Sequence, residues 1–349
     1  MGKTMRSHLN PEIFLYFDGG EVILWDYRNH QQFSVDEEHL CRLLELVRSG
    51  EPPNSSSHID AELIKAGVIS NDALVGPDWG WDVLSRMFHY GTRDIPQEFI
   101  PENAQDWART YVAACQELVG IELADVQLNT NDDHCLRLTS PIVTDAAGSK
   151  TLWESLQQRK TCRHIFERPV DQSTLSCLLH FALGDIPERQ SSVHEYVPSQ
   201  FRMRRSSPSG GGLNATSAFL LARNVDGIEP GVYRYNPDGH TLSVVNGKLH
   251  LSDVSFGELF LGQHFADTLP FGIFLVGEFN KMWWKYPHSR AYRVSLLEVG
   301  HISQTFQLAA TSLKLNTWLT AAFQDSKVDS LLGLTSPAKQ PLLFVGAGY

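Results

Sequence analysis

The sequence predicts an α+β protein, a mixed sheet flanked by helices, preceded by a small N-terminal module. Three observations predict it. From Thr151 onward, segments with apolar residues at helical spacing alternate with short β-rich runs. Hydrophobic residues make up 42% of the 349, enough to furnish a full core. The first stretch of chain reads as a hairpin followed by two short helices.

Ile13 to Phe17 and Val22 to Trp25 flank Asp18-Gly19-Gly20, which predicts a β-hairpin. Ser34-Val35-Asp36-Glu37 has the S-x-x-E form of a capping box, and Leu40, Leu43, Leu44 and Val47 then recur at helical spacing until Gly50. Asp60 to Ala66 makes a second helix before Val68-Ile69. A hairpin with two helices over residues 1–72 resembles a small winged-helix module, with a ligand-free structural extension as the alternative. Residues 73–150 read as a helical connecting region, with helices at Trp81 to Tyr90 and Ala104 to Val119 and a turn at Asn129 to Asp133. Residues 151–349 form the main domain. Its helices are expected at Thr151 to Gln158, Asp171 to Leu183 and Arg290 to Leu313. Its strands are expected at Ala218 to Ala222, Gly231 to Tyr235, Thr241 to Val245, Gly272 to Gly277, Trp318 to Ala322 and Leu342 to Val345.

A formal charge of −11 argues against general affinity for nucleic acid or an anionic membrane, so any phosphate site must be local. The five cysteines (Cys41, Cys115, Cys135, Cys162, Cys177) are odd in number and contain no C-x-x-C pair, which suits a reducing cytoplasm rather than a disulfide framework. No secretory signal and no membrane-spanning run are expected. The histidines lack H-E-x-x-H or comparable spacing, so no metal site is expected.

Three constellations carry chemistry. Trp283-Trp284-Lys285-Tyr286 sets an amine and a phenol beside indoles, where an apolar wall disfavours an ammonium ion and suits an amine to act as a base. A surface lysine beside a packed tyrosine is the plain alternative. Arg159, Lys160, Thr161 and Arg163 cluster two guanidiniums, an ammonium and a hydroxyl, a set that can hold a phosphate dianion, or equally a solvated basic helix end. Pro208-Ser209-Gly210-Gly211-Gly212 lets the backbone pass close to a flat ligand, with Ser209 able to donate to it; a flexible surface loop is the alternative. This is neither a P-loop nor a dinucleotide G-x-G-x-x-G turn. Gly300, inside the apolar helix that begins at Arg290, hints at close approach by a neighbour, and His301 reads as a core or interface histidine.

In this order the motifs resemble the nitroreductase-fold FMN enzymes, and more closely the SagB/McbC-type dehydrogenases of peptide maturation. The resemblance lies in Arg159 to Arg163, Pro208 to Gly212, Gly227 to Asn236, Lys285-Tyr286, Leu297 to Gln304, Asn316 to Phe323 and Leu342 to Gly348, with Phe88 to Arg93 as a lead-in. It implies FMN at a homodimer interface, its phosphate near Arg159, Lys160, Thr161 and Arg163, its ring beside Pro208, Ser209, Gly210 and Gly211, and the strand carrying Asn316 and Thr317 alongside. It further implies oxidation of thiazoline or oxazoline rings in a ribosomally made precursor peptide, with Lys285 and Tyr286 as the catalytic pair and a cyclodehydratase as a partner. The N-terminal module then resembles a leader-peptide binder, with Val22 to Trp25 as the receiving edge strand. Asn214, Ala215 and Ser217 depart from the family's pattern and bear on substrate identity; Lys160-Thr161 replaces the commoner Arg-Ser. The rival readings are oxidation or oxygenation of another peptide side chain, NAD(P)H-dependent reduction of a nitro or quinone substrate, and a peptide-binding scaffold without catalysis.

Overall fold

A computed structural model describes residues 6–54, 56–75, 79–80, 82–94, 96, 103–121, 130–141, 150–165, 167–192, 197–198 and 201–349. The chain divides into two compact units, Met1–Ile100 and Pro101–Tyr349.

The first unit contains β1 (Arg6–Leu9), β2 (Ile13–Asp18), β3 (Glu21–Asp26), β4 (Gln31–Val35), α1 (Glu37–Ser49), α2 (His58–Lys65), β5 (Ile69–Val75) and α3 (Val83–Gly91). The β2-β3 hairpin forms as the Asp-Gly-Gly turn requires, with Gly19 and Gly20 both at positive φ. A third strand, β4, then pairs antiparallel with β3. Two expectations are thereby corrected. Val22 to Trp25 lies in the central strand of the order β2-β3-β4, so it has no free edge. Ser34 sits in β4 and donates to Glu21, whereas the cap of α1 is Asp36, which accepts from the His39 N–H at 2.9 Å. Pairing holds the chain extended through Val35, and the helix begins at the first acceptor beyond it. Leu24 packs with Leu43 and Leu46 of α1 and Leu63 of α2, so the sheet's inner face closes on both helices. Trp81, expected to begin the next helix, lies outside the described residues; Asp82 caps α3.

The second unit contains α4 (Ala104–Glu117), β6 (Thr130–Arg137), α5 (Leu152–Gln158), β7 (Val170–Asp171), α6 (Gln172–Leu183), β8 (Thr216–Ala222), β9 (Val225–Asp226), β10 (Gly231–Asn236), β11 (Thr241–Val245), α7 (Phe256–Leu259), β12 (Phe271–Glu278), α8 (Phe279–Lys285), α9 (Arg290–Ser312), β13 (Asn316–Thr320), α10 (Asp325–Leu332) and β14 (Lys339–Gly348). Seven strands form one sheet in the order β13-β14-β12-β8-β10-β11-β6. Its neighbours are antiparallel, and parallel pairing enters at its margin, where Thr161 bridges Thr317. Every residue of β12 is buried, because both faces of the sheet are covered. Phe271, Ile273 and Leu275 point to the side of α6 and α9, while Phe274 and Val276 point to the side of α7 and α10. The turn expected at Asn129 to Asp133 is corrected: Asn129 is not described, and Thr130 onward forms β6, an edge strand whose irregular register against β11 accommodates the Asn-Asp-Asp run.

Asp171 caps α6, accepting from the Thr174 N–H at 2.8 Å. Burial pushes its carboxyl up, but hydrogen bonds from Ser173 and Thr174 outweigh this and hold it below the usual carboxylate value. The depressed pKa gives stability above the unfolded value near 3.9 that is lost as pH falls through the folded value. Asp171→Ala is expected to lower unfolding free energy by about 1 kcal/mol at neutral pH, with the difference from the parent shrinking at pH 3 in denaturant titrations.

Candidate active site

The site begins at the end of β12. Glu278 is 2% exposed and is ringed by Lys281, by Lys339 at 3.6 Å and by Arg234 at 3.7 Å. Burial pushes its carboxyl up, yet the three cations outweigh burial and hold it below the usual range. The Glu278 N–H also donates to the Ala215 carbonyl at 2.8 Å, tying the start of α8 to the chain that follows the glycine turn. From this anchor α8 runs to Lys285. Pro287 then excludes Tyr286 from helical geometry, and Tyr286 takes φ −125° and ψ 86° as the cap. Lysine and tyrosine therefore leave the helix end in different directions and meet again at the glycine turn.

That turn is built for contact. Gly211 and Gly212 both have positive φ, and Ser209 Oγ accepts from the Asn214 N–H at 2.8 Å, which closes the turn and leaves the hydroxyl proton free to donate. A Cβ on Gly211 would lie 2.3 Å from the Tyr286 hydroxyl and 3.0 Å from Lys285 Nζ; one on Gly210 would lie 2.5 Å from Val294 of α9. Lys285 Nζ donates to the Gly211 carbonyl at 3.1 Å and to the Tyr111 hydroxyl at 3.0 Å. It sits 4.1 Å from the Phe201 ring centroid and 4.8 Å from that of Tyr111. Burial raises the Tyr286 phenol, opposed by Lys285 and reinforced by Tyr111 and Cys115, so the hydroxyl keeps its proton at neutral pH. Lys285, Tyr286 and the glycine turn thus form one cluster.

The predicted phosphate residues form a second cluster. Thr151 and Glu154 make a reciprocal capping box at the start of α5, and Arg159 caps its end. The Cys162 N–H donates to the Thr317 carbonyl at 2.8 Å, and Thr317 Oγ1 reaches the Lys160 carbonyl, so β13 brings Asn316 and Thr317 beside Arg159 to Arg163. Lys160, Thr161 and Arg163 are exposed; Arg159 is half-buried, with Nη1 3.3 Å from Gln307 Oε1. Arg163 lies over the Phe265 ring.

Helix α9 separates the two clusters. The Gly210 position abuts Val294, and Ser207 bonds Thr305 at 2.8 Å, two positions within about 20° of each other around the helix axis. Gln307, the partner of Arg159, lies about 160° from Thr305. Within one chain the two sets therefore occupy opposite faces of α9. Gly300, expected to mark a close approach, is exposed with open space where its Cβ would stand, and His301 is exposed rather than packed in the core. Tyr111 and Phe201 were missed by sequence reasoning. The signal for Tyr111 was present: Trp107, Tyr111 and Cys115 recur at i, i+4 along one face of α4.

The family model described as the nitroreductase family matches residues 156–349, more than half of the chain and both clusters except Tyr111. The chain belongs to the nitroreductase family. Members of this family are oxidoreductases that generally bind flavin. A candidate nitroreductase of Methanocaldococcus jannaschii is 28% identical over 48% of this chain and 90% of its own length. The trifolitoxin operon protein TfxC of Rhizobium leguminosarum bv. trifolii is 27% identical over 61% of this chain and 58% of its own. The microcin B17-processing protein McbC of Escherichia coli is 32% identical over 42% of this chain and 54% of its own. This nitroreductase-family chain thus spans little more than half the length of TfxC and of McbC.

Proposed function

We propose that this protein is an FMN-dependent dehydrogenase of a ribosomally made peptide, oxidising thiazoline or oxazoline rings to azoles. The observation that carries the reading is the convergence of Lys285 Nζ and the Tyr286 hydroxyl on Gly211. A neutral amine has two N–H groups, and Lys285 has two acceptors, Tyr111 and Gly211, so the lone pair is left to take a proton. Tyr286, kept protonated by burial, can donate to the ring being oxidised. Removal of the acidic Cα proton of an azoline needs such a base, whereas nitro or quinone reduction does not. The relatives named for trifolitoxin and microcin B17 support a peptide as substrate.

The residues suit FMN. Arg159, Lys160 and Arg163, with the Thr161 hydroxyl, offer an exposed cationic donor set in a chain of net charge −11, and a phosphate dianion matches it. Ser209 has a proton to donate and the glycine turn exposes backbone beside Pro208. When bound, FMN supplies the two-electron acceptor for the hydride equivalent that leaves the ring. The opposite placement of the two clusters on α9 supports a homodimer in which the cationic set of one copy serves the glycine turn of the other. Exposed Leu152, Trp153 and Leu156 on α5, with Leu296 and Leu297 on the adjoining α9, offer an apolar surface for that contact.

Peptide capture is assigned to the first unit. The edges of its three-stranded sheet are β2 and β4, and a cavity of about 200 Å³ runs between β4 and α2, lined by Phe33, Val35, Leu63 and Ala66 with His39 and Glu62. An extended leader peptide added to β4 fits that groove. A cyclodehydratase is the expected partner enzyme, since it makes the azoline. A cytoplasmic site accords with an odd number of cysteines that contain no C-x-x-C pair. Among the described residues no helix is long and apolar enough to cross a membrane.

The test is the visible spectrum of the purified protein, mass identification of the ligand released on heating, and turnover of an azoline-containing peptide. Near-stoichiometric FMN and azole product are expected. Arg163→Ala is expected to weaken FMN binding by about 10- to 100-fold, the loss of one or two charge-assisted hydrogen bonds. A protein that takes up no flavin on reconstitution would sink the reading and leave a scaffold.

A further inference from the structure

We propose that Tyr111 is a positioning residue of the site, its hydroxyl oxygen holding Lys285 Nζ in place from α4. The contact stands on geometry; its bearing on rate rests on the dehydrogenase reading above. Tyr111 lies outside the segment that defines the family, 174 positions from Lys285 along the chain, and reaches it at 3.0 Å.

The tyrosine is itself held on two sides. Its ring stacks on Trp107 one turn earlier, with centroids 5.3 Å apart and planes within 9°. One turn later lies Cys115, fully buried. Burial and the hydrogen bond to Cys115 push the phenol up to about 12, against the opposing charge of Arg204. The phenol therefore keeps its proton at neutral pH, and its oxygen accepts from Lys285 at 3.0 Å. Lys285 is thus tied at two points, the Gly211 carbonyl and Tyr111, which lie 74 and 174 positions away along the chain. A four-carbon side chain with several rotatable bonds needs two such ties to present its lone pair in one direction. The charged and titratable groups facing this cluster are Lys285 and Tyr286 at the end of α8, Tyr111 and Cys115 on α4, and Arg204 from the loop before the glycine turn.

Tyr111→Phe removes the oxygen and keeps the ring, and with it the Trp107 stack and the contact with the amine. Two readouts are needed. On flavin-loaded protein with an azoline peptide, kcat is expected to fall about tenfold with KM within about twofold, the pattern of a lost orientation rather than a lost binding contact. Independently, reductive methylation of Lys285 with formaldehyde and cyanoborohydride, followed by peptide mass and referenced to exposed Lys314, is expected to quicken about threefold or more in the variant, because the amine is freed. Unchanged labelling overturns the proposal. Faster labelling with unchanged kcat overturns it equally, since the contact then has no part in the rate. If the parent protein carries out no azoline oxidation, the functional reading fails, and the labelling alone decides whether Tyr111 restrains the amine.

Discussion

Lys285→Ala is expected to retain its flavin and its fold while losing peptide oxidation by about 10²- to 10⁴-fold, the usual contribution of a general base. The retention follows from position. Lys285 is in the last turn of α8 and half-buried, and the helix is anchored at its other end by Glu278 with Lys281, Arg234 and Lys339. The predicted phosphate contacts lie on the opposite face of α9 and lose nothing. The loss follows from chemistry: Tyr286, its proton held by burial, cannot replace an amine as a base near neutral pH. Absorbance of bound flavin together with single-turnover oxidation of an azoline peptide checks both halves. Oxidation at the parent rate would remove Lys285 from the mechanism and favour a reaction without a protein base.

Gly211→Ala is expected to cost about 10²-fold in turnover without removing any functional group. Two effects combine. Gly211 has φ of 62°, where an alanine is strained by about 1 kcal/mol. The new methyl would stand 2.3 Å from the Tyr286 hydroxyl and 3.0 Å from Lys285 Nζ, so both tips must withdraw. A displacement near 1 Å at reacting groups is enough to cost about 10²-fold. The expected signature is a lowered kcat with flavin content and melting behaviour near the parent's. Parent-level turnover would mean that the Lys285 and Tyr286 geometry around the turn is not the geometry used in catalysis.

The large sheet and its long helix were legible because their signals are local and redundant. β8, β10, β11 and β12 are short runs of apolar and β-branched residues between turn residues, and α9 repeats apolar positions over six turns. β4 was missed because Gln31 to Val35 is a half-exposed, mostly polar edge whose extended form comes from pairing with β3. β6 was missed for the same reason: Asn and Asp are poor strand residues alone, but an edge position asks only for backbone pairing. In the site, Lys285-Tyr286 and the glycine turn were each visible as motifs, yet nothing in a one-dimensional reading says that Gly211 lies against a residue 74 positions away. Tyr111 was hidden more completely, since the spacing of Trp107, Tyr111 and Cys115 marks one face of α4 but not what that face meets.

The sequence by itself determined the family, the residue types available for phosphate, backbone and proton chemistry, and the order of the main elements, because these depend on composition and spacing along the chain. Only the tertiary structure decided which of those residues meet. Side-chain convergence depends on strand order, on the turn that Pro287 imposes after α8, and on which face of α9 each neighbour touches, and these are set by packing across the whole sheet.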